Sequence, residues 1–107
     1  MNHRIYNSIE EIREANQAIG NHWFDADTMA FFNSVIESSI INRCMFISSE
    51  RMNYMDAKMY TIRIALPSGQ VQTLSDFQQF NSLDYAIDYA SNLSIDDYID
   101  DNGDFIR

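Results

Sequence analysis

The chain has 107 residues, 46% of them apolar, with seven Phe, six Tyr and one Trp; that is one domain's length with enough apolar surface for a core, and it argues against a disordered chain. The formal charge of −9 repels nucleic acid and anionic membranes and favours basic partners, so direct nucleic-acid binding is not expected. Cys44 is the only cysteine, which excludes an internal disulfide and a thiolate zinc cage. No stretch approaches the roughly 20 apolar residues of a membrane helix, and Met1 to Glu10 lacks the basic-then-apolar order of a secretory signal, so the expected compartment is the cytoplasm.

In chain order, Ser8 and Glu11 have the spacing of a capping box. Ile9, Ile12, Ala15 (or Asn16) and Ile19 then recur near the helical period until Gly20, which predicts a helix over 9–19. Asp25 or Asp27 caps a second short helix through Thr28, Met29, Phe31 and Phe32, with Trp23 and Phe24 packing on its first turn and seeding the core. From Ile40 the preference turns to strand: Cys44-Met45-Phe46-Ile47 is a compact apolar run, and Tyr60 to Leu66 alternates with period two. Leu66-Pro67-Ser68-Gly69 reads as a hairpin turn that returns the chain through Val71 to Leu74. Ser82 caps the clearest amphipathic helix, with Leu83, Ala86, Ile87, Ala90 and Leu93 on one face. Ser94 starts a further short turn, Ile95 to Asp101, which Asn102-Gly103 ends. The expected architecture is a single α+β domain over 1–107: N-terminal helices, a three-stranded antiparallel meander, a C-terminal amphipathic helix on the sheet, and an acidic segment over 94–107.

The charge is uneven. Residues 1–63 carry a net −2, whereas 64–107 hold eight aspartates against Arg107 alone, a net −7. Asp84, Asp88, Asp96, Asp100 and Asp104 recur at multiples of four, with Asn92 in the gap and Asp97 and Asp101 doubling two rungs. Four residues of helix advance about 6 Å, against about 3.4 Å between phosphates along one DNA strand, so these side chains could imitate a sparse phosphate row. Like charges at i, i+4 weaken a helix by about 0.2–0.5 kcal/mol per pair, and a repeated unfavourable choice points to a binding need. The competing readings are a solvated face with an acidic tail kept for solubility, and a metal site. Ser94 and Gly103 argue against one continuous helix, and the chain ends before the closing Glu of a calcium loop.

Trp23-Phe24 to Phe31-Phe32-Asn33-Ser34, Phe46-Ile47-Ser48-Ser49-Glu50, Tyr60-Thr61-Ile62-Arg63 and Phe77-Gln78-Gln79-Phe80 resemble a family of small uncharacterised proteins of bacteria, phages and plasmids, over about residues 20–92. The resemblance implies a bacterial host cell and a mobile-element setting, in which small acidic proteins often inhibit host defence as anti-CRISPR or anti-restriction proteins; it transfers no catalytic residue. The expected function is therefore inhibition of a nucleic-acid-targeting defence complex, with Asp84, Asp88, Asp96, Asp97, Asp100, Asp101 and Asp104 pairing with its basic surface.

The alternative is a non-enzymatic interaction module or homodimer that docks through Phe31, Phe32 or the strip Met52, Met55 and Met59 with Tyr54 among them. His22 beside Asp25 and Asp27 is a weak acid/base or metal signal that helix capping explains more simply. Cys44 beside Arg43 could carry a depressed pKa, though an apolar strand makes it a buried small residue first. There is no phosphate loop, nucleophile elbow or His-Glu-x-x-His, so neither enzyme activity nor a cofactor is expected.

Overall fold

The computed structural model describes residues 4–31, 33–51 and 57–106. Ser8 is extended (φ −158°) and its Oγ accepts from Glu11 N at 3.2 Å, so α1 (Ile9–Ala18) begins where the capping pattern places it. Ile12 and Asn16 are its buried positions. The short α2 (Ala26–Phe31) follows Asp25, whose carbonyl accepts from Met29 N at 3.0 Å.

Among the described residues the sheet has four strands rather than three, β1 (Val35–Ile36), β2 (Met45–Glu50), β3 (Met59–Ala65) and β4 (Val71–Thr73), antiparallel and in sequence order. The added β1 is two residues long, too short to show a period, and exists through pairing of Val35 with Ser49 and Ile36 with Ser48. The β3–β4 turn follows the sequence: Gly69 N donates to Leu66 O at 2.8 Å, with Gly69 at φ +101°. That turn is pressed onto α1, since a Cβ on Gly69 would lie 2.5 Å from Ala15 O.

Register sorts the side chains of the two central strands. Phe46, Ser48, Thr61 and Arg63 share one face; Met45, Ile47, Ile62 and Ile64 share the other. Period-two alternation ordinarily leaves one sheet face to solvent, yet β2 is buried along its whole length and β3 from Thr61 to Ala65. Both faces are therefore covered. α3 (Leu83–Ser91) packs against β2 and β3 with Ala86 and Ala90 fully buried, two small side chains that let the helix approach closely. Ser82 caps it as expected, accepting from Tyr85 N at 3.3 Å, and Asn42 Nδ2 donates to the carbonyl of Ala90 in its last turn (3.0 Å) and to that of Leu93 beyond its end (2.7 Å).

After α3 the chain makes a single 3-10 turn (Ile95–Asp97), buries Ile95 and Ile99 in the core, and folds back so that Ile99 bridges Phe105. Gly103 rests beside Pro67, to which a Cβ would come within 3.4 Å. The acidic segment is thus built onto the body instead of trailing as a tail. No described helix is long and apolar enough to cross a membrane.

Candidate functional site

Two regions carry polar chemistry, and the sequence signals only one of them. The first lies on the Arg63 face of the sheet. Glu50, at the end of β2, is almost wholly buried, and its carboxylate accepts four hydrogen bonds: Thr61 Oγ1 to Oε1 at 2.7 Å, and Ser48 Oγ (2.6 Å), Ser34 Oγ (3.1 Å) and Arg63 Nη2 (3.1 Å) to Oε2. Arg63 Nε donates to Ser48 Oγ at 3.0 Å and Nη1 donates to Thr73 Oγ1. A buried ion pair persists only when such additional bonds satisfy both partners. Desolvation lowers the pKa of Arg63, and Glu50 opposes that shift.

A strained turn closes the network. Gln78 stands at φ +58°, a conformation costing a non-glycine residue on the order of 1 kcal/mol. Its N donates to Thr61 Oγ1 at 2.8 Å and its Nε2 to Glu50 O at 3.2 Å, bonds that offset the strain and fix Phe77 beside the guanidinium. Arg63 Cζ lies 5.7 Å from the Phe77 ring centroid and 5.3 Å from that of Trp23. Trp23 is held in turn by Asn16, whose Oδ1 accepts from Trp23 N at 3.1 Å while its Nδ2 donates to Gly69 O at 3.0 Å. Trp23 and Phe24 cluster with Phe46 of β2, with centroids 4.8–6.0 Å apart, whereas Phe31 of the second helix is 80% exposed. Above them opens a pocket of about 170 Å³ lined by Trp23, Thr28, Met29, Ser34, Arg63, Thr73 and Phe77.

The four sequence phrases behind the family resemblance thus converge on one site. Ser34, Ser48, Glu50, Thr61, Arg63, Thr73 and Gln78 carry no role in a composition or motif reading. A usable signal was present: a glutamate and an arginine in strands rich in Met, Phe and Ile have to be paired or exposed.

The second region is the acidic one. Asp84 and Asp88 sit on the exposed side of α3, beside Tyr85 and Tyr89, which stack around Phe80 with centroids 5.3–6.5 Å apart. Asp96 and Asp97 are exposed on the 3-10 turn, and Asp101 and Asp104 on the return loop. No single helix carries the seven, because α3 ends at Ser91 with Asn92 as its cap. Asp100 has a structural task as well: it is half-buried, and its Oδ1 accepts from Asn102 N and Asp104 N, both at 2.9 Å, so this carboxylate shapes its own loop.

The remaining candidates resolve simply. His22 Nδ1 is 3.2 Å from Asp25 Oδ2, with both side chains largely in solvent. Cys44 is buried, and burial pushes its thiol up to about 11 against a weaker opposing pull from Arg43, the reverse of an activated cysteine. Phe31 is 80% exposed. Phe32 and the Met52, Tyr54 and Met55 strip lie outside the described residues, and Met59 is half-buried at the start of β3. Among the described residues, no group of three or more His, Cys, Asp or Glu is arranged to hold a metal ion.

Over residues 8–91 the chain matches DUF7447, a family of unknown function, and it belongs to that family. The match covers the whole Arg63 site and stops at the end of α3, before the 3-10 turn and its return loop. No curated protein and no solved structure matches the chain.

Proposed function

We propose that the protein is a non-enzymatic inhibitor of a nucleic-acid-targeting defence complex in a bacterial host, anti-CRISPR or anti-restriction in kind, which occupies a basic surface in place of DNA. The observation that carries this reading is the net −7 of residues 64–107 on a segment anchored by the buried Ile95 and Ile99. Carboxylates mounted on an ordered frame lose less entropy on pairing with Lys and Arg than the same groups on a tail. Asp84, Asp88, Asp96, Asp97, Asp101 and Asp104 are the contact residues, and Asp100 holds the loop that presents the last two. Tyr85 and Tyr89 supply the rigid apolar area that charged rims lack.

The test is affinity capture from a bacterial host lysate, followed by competition with duplex DNA and a salt series. Capture should be displaced by DNA and should weaken steeply between about 0.05 and 0.5 M salt. A complex unmoved by either, or retained when the six exposed aspartates are changed to Asn, would overturn the proposal.

A second reading, an interaction module or homodimer that docks through apolar residues, is favoured by the exposure of Phe31 at the end of α2 and of Val35 on the edge strand β1. Phe31→Ser would then abolish association while charge neutralisation changed little.

A further inference from the structure

We propose that the pocket over Arg63 is a binding site for a small, uncharged, ring-sized molecule bearing an amide or lactam carbonyl. The site is independent of the acidic face.

Its size sets the first limit. A pocket of about 170 Å³ is of the order of a cavity that accepts one six-membered ring, and far below that of a drug-sized ligand. Trp23, Met29 and Phe77 provide flat or adaptable apolar walls.

The polar groups set the second. A guanidinium has five N–H donors, and Arg63 spends three of them on Ser48, Glu50 and Thr73. Among the described residues, one N–H on each terminal nitrogen has no protein acceptor, and Arg63 lines the pocket. Thr73 Oγ1 accepts from Arg63, which leaves its own hydrogen to donate, and Thr28 adds a further hydroxyl to the lining. The rim is therefore rich in donors and calls for an acceptor.

Charge decides which acceptor. Glu50 already neutralises Arg63, so a carboxylate would enter as an uncompensated anion in a chain of charge −9. A cation fares no better, because the Glu50 carboxylate already accepts from Ser34, Ser48, Thr61 and Arg63. A purely apolar ring would strand the donors out of water, at about 1–3 kcal/mol each. A neutral carbonyl satisfies the donors, and its flat ring fills the aromatic walls.

Trp23 is the only tryptophan, so its indole N–H gives one resolved NMR signal inside the site, and Arg63 Nε–H gives a second. Benzamide, uracil, benzoate and benzylamine are titrated into the full chain while both are followed. Benzamide or uracil should give saturable shifts at both signals, with affinity at least about fivefold above benzoate and benzylamine. Thr73→Val and Phe77→Ala, each first confirmed as folded by its amide spectrum, should weaken that binding about fivefold or more, the equivalent of one lost hydrogen bond or ring contact. The inference fails if no neutral probe saturates, if benzoate or benzylamine binds as well, or if both folded variants bind unchanged. Loss of DNA-competed capture in the six-aspartate variant is a separate result and leaves this site untouched.

Discussion

Arg63 Nη2 meets Glu50 Oε2 at 3.1 Å, with 8% and 1% of the two side chains exposed, although in the sheet register Arg63 of β3 stands opposite Phe46 and Glu50 of β2 opposite Met59. Removing one partner leaves the other charged and desolvated. Glu50→Gln should therefore lose about 3–5 kcal/mol in urea unfolding, and the double variant Glu50→Gln with Arg63→Met should lose less than the sum of the singles. Additive losses would mean that the pair is not coupled.

Asn16 tests how the site is joined to the first helix. It is fully buried and bonds Trp23 N and Gly69 O. Asn16→Leu fills similar volume but leaves a donor and an acceptor without partners, and it should cost about 2–4 kcal/mol. Because Trp23 loses its tether, its fluorescence maximum should also shift before the global transition; a shift only at global unfolding would show that the tether does not hold the ring.

Much of this architecture is legible in the sequence because capping, turn and helical-period signals are local. Ser8, Ser82 and Gly69 act through neighbours a few residues away, and each element they bound is where they place it. Strand β1 is not legible, since two residues carry no period and its existence depends on Ser48 and Ser49 being adjacent in space. The covering of the polar face of β2 and β3 is not legible for a related reason. Thr61 and Arg63 alternate with isoleucines as solvent-facing residues do, but Trp23, Phe77 and Gln78 arrive from distant segments to cover them. Asp100 looks like one more rung of an i, i+4 series, and only the return of Asp104 onto it reveals a loop-forming role.

The raised thiol of Cys44 gives a pH signature. In the unfolded chain it ionises near its ordinary 9.0, whereas in the fold burial holds it protonated to about 11. Below pH 9 both states carry the proton and this group adds no slope. Between pH 9 and 11 the unfolded state alone releases it, so stability falls as pH rises, by at most about 3 kcal/mol, and levels off above. Tyr6, also raised by burial, adds a decline in the same direction. Cys44→Ala should flatten the 9–11 portion relative to the parent chain, and thiol reagents at pH 8 should label Cys44 only as fast as the protein opens. Rapid labelling of the native state would contradict its burial.

Asp100 distinguishes a loop-shaping carboxylate from the exposed aspartates that the proposed function assigns to contact. Its Oδ1 takes the amides of Asn102 and Asp104, so Asp100→Ala should cost about 1–2 kcal/mol and loosen the loop between Ile99 and Phe105. Asp100→Asn retains an oxygen in the same place and should keep most of that stability while removing the charge. Neutralising Asp84, Asp88, Asp96, Asp97, Asp101 and Asp104 together relieves like-charge repulsion, and it should leave the melting temperature unchanged or raise it while weakening capture of the basic partner at low salt. Thermal melts and capture on the same three variants distinguish the roles: if Asp100→Asn impairs capture as severely as the six-residue change while the fold holds, Asp100 contributes its charge to recognition and not only its geometry to the loop.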